Sequence, residues 1–168
     1  MSILKTQRLT LSPFDLDELD ILHQLFTDPY IRGYLWDDQI LPRAQSEDVL
    51  KVNQQLFKKN KWGLWKIQDS ESKEIMGFAG LWYFFEEPQP QLLYAILEKY
   101  AGQGYATEAA QRILSYAFEE LNFTYLLAAM DEPHKISQKL AERIGMKFVE
   151  KKIEEGKATV FYRIDKEQ

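Results

Sequence analysis

The chain has 168 residues, of which 45% are hydrophobic and 28% are charged, a balance typical of a globular domain with its own core. Its net charge is −5 and it shows no basic stripe, which argues against nucleic-acid binding because that depends on clustered lysine and arginine. It contains no cysteine, so disulfides, thiolate metal sites and a cysteine nucleophile are excluded.

No linker, repeat or low-complexity segment divides the sequence, so we expect residues 1–168 to form a single domain. No run of about 18 apolar residues is present, which argues against a membrane span. The N-terminal stretch "MSILKTQRLTLSPF" lacks the apolar core of a signal peptide, and a cytoplasmic location is therefore expected. We expect no bound metal.

The first third of the chain predicts one strand and two helices. "RLTLSPF" alternates between apolar and polar residues, as a half-buried strand does. "DLDELDILHQLF" has helical spacing, with Asp15 as a plausible N-cap and Glu18 placed as in a capping box. The apolar face of this helix would comprise Leu16, Leu19, Leu22 and Phe26. A second helix is expected to begin at Ser46 and to bury Val49, Val52 and Leu56.

The rest of the chain predicts three strands followed by two helices and a hairpin. "WGLWKI", "IMGFAGLWYFF" and "QLLYAIL" are separated by polar turns and predict an antiparallel block. Spacings of three and four predict a helix over residues 105–121, and "YLLAAM" predicts a buried strand. "ISQKLAERI" predicts a helix that Gly145 ends, before a hairpin of "MKFVEKKI" and "TVFYRI". The order is β-α-α-β-β-β-α-β-α-β-β, with one parallel crossover in a mixed sheet.

The stretch "YAGQGYATEA" joins the third strand of that block to the helix predicted over residues 105–121. N–H groups in the first turn of a helix lack intrahelical partners, and the helix dipole is positive there. Gly102 and Gly104 would let an anion approach this backbone, and Thr107 could add a hydroxyl donor, which together predict a phosphate or pyrophosphate site. The alternative is a tight turn in which glycine only supplies a positive φ. A P-loop lysine is absent, and Thr107 stands where a dinucleotide fingerprint has its third glycine.

"TQRLTLSPF", "DPYI", "GYATEA", "YAFEEL" and "AERIGMKF" resemble the GNAT acetyltransferases, in particular the branch of ribosomal-protein N-terminal acetyltransferases. Ala101 and Gln103 replace a tryptophan and a lysine that are common in that branch. The resemblance implies the GNAT acyl-CoA N-acyltransferase fold, an α/β (mixed α+β) fold whose mostly antiparallel sheet has a splayed central strand pair. It also implies acetyl-CoA as the acetyl donor.

The resemblance further assigns residues to the coenzyme. The pyrophosphate would lie over the amides of Gln103, Gly104, Tyr105, Ala106 and Thr107, after Gly102. The pantetheine arm would pair with the strand backbone near Ile96 and Leu97. His134 replaces the asparagine that usually contacts the coenzyme, while the spacing to Ser137 and Gly145 is kept. Because neutral histidine can both donate and accept, His134 could replace that contact; the alternative is a surface residue that caps the helix.

The implied reaction is direct attack of a neutral amine on the acetyl thioester, with a free backbone amide near Ile96 stabilising the oxyanion. Ser137 would be the acid or the thiolate hydrogen-bond donor, because Ala141 stands where related enzymes have a tyrosine; its alternative role is capping. Gln91 stands where the branch has a glutamate, so the base would be Glu87, Glu86 or a water chain. The alternative, favoured for each glutamate, is a solvated turn charge. Tyr94 would line the acceptor path or simply pack in the core.

We therefore expect acetyl transfer to a primary amine, with the N-terminus of a peptide or protein favoured over a small amine such as a polyamine or aminoglycoside. A non-catalytic acyl-CoA-binding regulatory module is the alternative from another class, because Ala101, His134, Ala141 and Gln91 depart from the common residue types. Neither a nucleic acid nor a membrane is expected as partner. The chain would be a monomer or a homodimer.

Overall fold

The computed structural model describes residues 2–33, 35–84 and 88–167, apart from the side chain of Trp36. The strands in these residues are β1 Leu4–Lys5, β2 Leu9–Pro13, β3 Leu64–Asp69, β4 Ile75–Trp82, β5 Gln91–Ile96, β6 Tyr125–Asp131, β7 Lys147–Glu154 and β8 Lys157–Asp165. The helices are α1 Leu19–Thr27, α2 Pro29–Arg32, α3 Arg43–Asn60, α4 Tyr105–Glu119 and α5 Lys135–Arg143. The predicted order is confirmed, with the short elements β1 and α2 in addition. None of the described helices is long and apolar enough to cross a bilayer.

The strands form two antiparallel sheets. One has the order β1-β2-β3-β4-β5, and the other has the order β6-β8-β7. β5 and β6 lie next to each other, yet no strand pairing joins them in the described part of the chain. The splay predicted within one mixed sheet is therefore wide enough to divide the strands into two sheets, and the gap between β5 and β6 leaves a row of backbone groups of β5 open to a ligand.

Helices cover both faces of the larger sheet. One cluster of buried residues packs the sheet against α4 and α5, and it includes Trp65, Ile67, Leu81, Ile113 and Leu140. A second cluster packs the other face against α1 and α3, and it includes Leu22, Phe26, Leu50, Phe78 and Leu93. Burial of apolar side chains on both sides of the sheet is what fixes the helices around the gap.

Two expectations about buried helix faces are wrong. Leu16 belongs to a 3-10 turn that precedes α1, and it is 50% exposed. α3 begins three residues earlier than expected, at Arg43 rather than Ser46, and it buries Ser46, Leu50 and Asn53 while Val52 is 48% exposed.

The reason is that polar side chains can be buried when each has a fixed partner. The side-chain amide of Asn53 donates to the carbonyl oxygen of Leu64 at 3.1 Å and accepts from the Leu64 N–H at 2.7 Å. The hydroxyl of Ser46 hydrogen-bonds Nδ1 of His23 at 2.7 Å. These two polar residues lie with Leu50 on the buried face of α3, so Val52, the neighbour of Asn53, faces outward.

Candidate functional site

The loop between β5 and α4 has the backbone geometry that its glycines predict. Gly102 has a φ of 77° and Gly104, the N-cap of α4, has a φ of 83°. Glycine adopts this left-handed region without strain, whereas other L-residues rarely do. A Cβ added at Gly102 would meet no atom within 4 Å. Open space therefore borders the loop at Gly102, where the backbone rather than packing requires glycine.

The N–H groups of this loop are available to a ligand. In the described residues, none of the backbone N–H groups of residues 102–107 donates a hydrogen bond, whereas those of Tyr100 and Ala101 donate to Leu97 and Glu98 at 3.0 Å. The first intrahelical bond of α4 runs from Glu108 N to Gly104 O at 3.0 Å. Six consecutive open donors at a helix N-terminus are the arrangement that binds a phosphate. A tight turn that leads into a helix also leaves the N–H groups of residues 104–107 open, and the open donors of Gly102 and Gln103 precede them.

A contact that sequence reasoning missed ties this loop to the N-terminus. Glu108, in the first turn of α4, accepts hydrogen bonds from Arg8 Nε at 2.7 Å, from Arg8 N at 3.0 Å and from the Thr6 hydroxyl. Burial by itself would raise the pKa of Glu108, but these hydrogen bonds and the Arg8 charge outweigh it and lower the pKa. Arg8 lies in the motif "TQRLTLSPF" and Glu108 lies in "GYATEA", yet no local spacing in the sequence indicates that the two side chains meet.

The edge of β5 that borders the gap presents alternate backbone groups. Leu97 N donates to Met76 O on β4 at 2.8 Å. In an antiparallel pair the N–H groups point alternately toward and away from the partner strand. Those of Ile96 and Tyr94 therefore point away from β4, toward β6. β4 therefore uses the Leu97 N–H, and the pairing of the pantetheine with the strand backbone near Ile96 and Leu97 stays a prediction.

Tyr94 and Ser137 connect β5 with α5. The Tyr94 hydroxyl donates to the carbonyl oxygen of Ser137 at 2.9 Å. Burial, together with Tyr162, raises the pKa of Tyr94 well above that of a free phenol, so its hydroxyl stays protonated. Ser137 is the third residue of α5, after the N-cap His134, whose side chain makes no capping hydrogen bond. The catalytic roles of Tyr94 and Ser137 stay predictions.

His134 borders a cavity on the side of α2. The backbone N–H of His134 donates to the carbonyl oxygen of Asp131 at 2.9 Å, which closes the turn between β6 and α5. The cavity has a volume of about 470 Å³ and is lined by Pro29, Tyr30, Gly33, Pro133, His134, Lys135 and Ile136. Pockets of this size are common for small ligands and for the end of a peptide. Three of the lining residues, Pro29, Tyr30 and Gly33, belong to the segment that follows α1.

Asp131 is an acidic residue at the gap that sequence reasoning missed. Alternate residues of β6 pack against α4 and α5, namely Leu126, Ala128 and Met130. Asp131 therefore faces the opposite side, where its carboxylate lies 3.1 Å from Lys157 Nζ. Burial raises the pKa of Asp131, and nearby His134 opposes that shift. A charge that directly follows a wholly apolar strand was the available signal.

Two of the predicted base candidates, Glu86 and Glu87, lie outside the described residues. Gln91, at the position where the branch has a glutamate, is buried, and its Nε2 donates weakly to Phe84 O at 3.5 Å. The structure thus joins Tyr94 on β5 to Ser137 on α5 and joins His134 to Asp131 at the end of β6, while the glycine loop follows β5 along the chain.

Comparison with known proteins identifies the family to which a chain with this fold belongs. A model of the acetyltransferase (GNAT) domain matches residues 8–147. "Uncharacterized N-acetyltransferase p20" of Bacillus licheniformis is 26% identical over 146 residues, which cover 86% of this chain and 82% of that protein. An acetyltransferase structure from Agrobacterium tumefaciens str. C58 has a TM-score of 0.83 at 24% identity, covering 98% of this chain and 94% of its own. RimL, a ribosomal L7/L12 α-N-protein acetyltransferase in complex with coenzyme A, has a TM-score of 0.81 at 16% identity, covering 97% of each chain.

The family model spans most of the chain, including β2, the glycine loop and α5. The strand order, the divided sheet and the similar solved structures give the same fold. This chain belongs to the GNAT family of acetyltransferases.

Proposed function

We propose that this acetyltransferase uses acetyl-CoA to acetylate the N-terminal α-amine of a peptide or protein. The observation that supports a coenzyme A donor is the row of open N–H groups at residues 102–107, beside the gap between β5 and β6. RimL, similar in fold, is named as an α-N-protein acetyltransferase. An α-amine has a pKa of about 8 against about 10.4 for lysine, so it needs less help to reach the neutral, attacking form.

The residues present fit the coenzyme. The diphosphate would lie over the N–H groups of Gln103, Gly104, Tyr105, Ala106 and Thr107, because both glycines leave the loop open. The pantetheine would pair with the free edge of β5 at Ile96. His134 and Ser137, at the start of α5, would border the arm near the thioester.

In the reaction, the amine nitrogen bonds to the acetyl carbon and the carbon–sulfur bond breaks. One of the two backbone N–H groups that point into the gap, that of Ile96 or that of Tyr94, would stabilise the oxyanion, since the two lie about 7 Å apart along the strand and cannot both reach one oxygen. The Ser137 hydroxyl would donate a hydrogen bond to the leaving thiolate, which takes up a proton afterwards. Asp131, with its raised pKa, would accept the proton that the amine loses, either directly or through His134 or water. Glu87 remains the base candidate from the sequence.

A small amine is the second candidate acceptor. The cavity at His134 is large enough for a small molecule, and the carboxylate of Asp131 at the gap would attract an ammonium group. A polyamine or aminoglycoside would use the same donor and the same proton path, so only the acceptor would differ.

A thiol-release assay tests the proposal and separates the candidates. The panel contains short peptides with free N-termini, the same peptides with an acetylated N-terminus and an internal lysine, and polyamine and aminoglycoside samples. We expect release of coenzyme A with free N-termini and none with the blocked peptides. Turnover with the small amines and with none of the peptides would show that the acceptor is a small amine. Coenzyme A binding without turnover on any member would favour the regulatory module instead.

A further inference from the structure

Arg8 lies directly before β2, yet it contacts Gln103 and Tyr105, on either side of Gly104. Its Nη1 donates to Gln103 O at 3.0 Å, and its guanidinium carbon lies 4.2 Å from the centre of the Tyr105 ring. A Cβ added at Gly104 would lie 3.4 Å from Arg8 Nη2. One cationic side chain therefore supports the middle of the loop from the side of the N-terminal strands.

The position of Arg8 is itself fixed by a second set of contacts. Its Nε and its backbone N–H both donate to the carboxylate of Glu108, which also accepts from Thr6. The Thr6 hydroxyl in turn accepts from Leu9 N at 3.0 Å. A planar guanidinium held by several hydrogen bonds keeps both its direction and its charge. The Arg8 side chain is nevertheless 40% exposed, so part of this charge stays accessible beside the loop.

We propose that Arg8 is a positioning residue of the coenzyme site, which holds residues 103–105 with their N–H groups open to a diphosphate and places a permanent positive charge beside them. This inference rests on the proposed coenzyme site. It assigns a functional role to the N-terminal "TQRL" stretch, because Thr6 and Arg8 act on the loop through Glu108 and Gln103.

Arg112 is the control that distinguishes this role from a purely structural contact between the N-terminal strands and α4. Arg112 Nε donates to Lys5 O at 3.1 Å, so it also joins α4 to the first strands. It is seven residues beyond Tyr105, about 10 Å along the helix. Loss of Arg112 therefore removes a comparable tie without touching the loop.

The test compares Arg8→Gln, Arg8→Lys and Arg112→Gln with the wild type. Calorimetry measures the Kd of coenzyme A and of 3′-dephospho-coenzyme A, which retains the diphosphate, at two salt concentrations. We expect Arg8→Gln to weaken both ligands by the same factor, about ten- to a hundredfold, since hydrogen bonds to charged groups are strong. Its Kd should also depend less on salt, because a charge near the phosphates is gone. Arg8→Lys should recover the salt dependence and part of the affinity.

Arg112→Gln should bind both ligands like the wild type, and thermal melting without ligand monitors the folding of every variant. Unchanged affinity in a folded Arg8→Gln variant would overturn the inference, as would an equal loss in Arg112→Gln. A loss confined to coenzyme A would overturn it too, since it would place Arg8 at the 3′-phosphate. If the wild type binds neither ligand, the proposed function itself fails; if the wild type binds and only the Arg8 expectations fail, the proposed function stands.

Discussion

The two sides of the gap between β5 and β6 are built from different groups. On the coenzyme side, the proposed binding groups are backbone N–H donors of residues 102–107, fixed by glycine conformation and by Arg8 and Glu108. On the acceptor side they are side chains from separate elements, where Lys157 pairs with both Asp131 and Asp37. A site made of backbone groups suits the acetyl donor, because acetyl-CoA is the same molecule in every reaction. Side-chain charges can be exchanged by single substitutions, so they suit the part that selects the acceptor.

The largest expected effect tests the backbone side. Gly104→Val should weaken coenzyme A binding by more than about a hundredfold, because a β-branched side chain at a φ of 83° is strained and covers the open N–H groups. The strain alone costs about 1–2 kcal/mol of folding stability. Gly156→Val is the matched control, since Gly156 has a φ of 79° in a turn where a Cβ meets nothing within 4 Å.

Calorimetric Kd values for coenzyme A and thermal melts of the two glycine variants test this prediction. Gly104→Val should lose somewhat more stability than Gly156→Val, because its Cβ also meets Arg8 Nη2 at 3.4 Å, and only Gly104→Val should lose the coenzyme. Equal affinity in the two would mean that the coenzyme does not use this backbone.

The next effect tests the charged acceptor side. Asp131→Asn should lower kcat about a hundredfold, the usual scale for removing a general base, and leave the Kd of coenzyme A unchanged. Because the carboxylate acts when ionised, wild-type kcat should fall as pH drops through the raised pKa of Asp131, and the variant should lose that limb. Asp165→Asn, at an exposed ion pair with Arg163, is the control. A pH–rate profile that keeps its acidic limb in Asp131→Asn would exclude Asp131 as the base and return that role to Glu87.

A smaller effect is expected at Ser137, where the two sides meet. Ser137→Ala should lower kcat about tenfold, the equivalent of one hydrogen bond to a charged leaving group. The thiolate is a fairly stable leaving group, which limits the loss. Ser115→Ala, on the exposed face of α4, should leave kcat unchanged. Steady-state kinetics at saturating acetyl-CoA measures both, and an unchanged kcat in Ser137→Ala would remove the serine from the mechanism.

The smallest effect concerns the stability of the coenzyme side. The Glu108 carboxylate has a lowered pKa, so its contribution is complete above its unfolded value near 4.3 and is lost as pH falls through the folded value. Glu108→Gln should therefore lower the free energy of unfolding by about 1–2 kcal/mol at pH 7, and the difference from wild type should shrink toward pH 3. Urea titrations at several pH values measure it, with Glu119→Gln as an exposed control on the same helix. A difference that does not change with pH would contradict the ion pair.

Much of the local structure could be predicted because it depends on neighbouring residues. The period of α4, the left-handed Gly145 after α5 and the β7–β8 hairpin all follow from side-chain spacing or from one φ angle. α3 was harder to predict, since its buried face depends on the partners that Asn53 finds at Leu64. A count of apolar residues contains no information about those partners.

The sequence by itself determined the order of strands and helices and the position of the glycine loop, because hydrophobic periods and positive φ values are local properties. Only the tertiary structure decided that Arg8 contacts the loop, that the Leu97 amide belongs to β4, and that Asp131 pairs with Lys157. Each of these depends on which distant segments pack together. That choice is made by burying the two apolar clusters around the sheet, and no short stretch of residues encodes it.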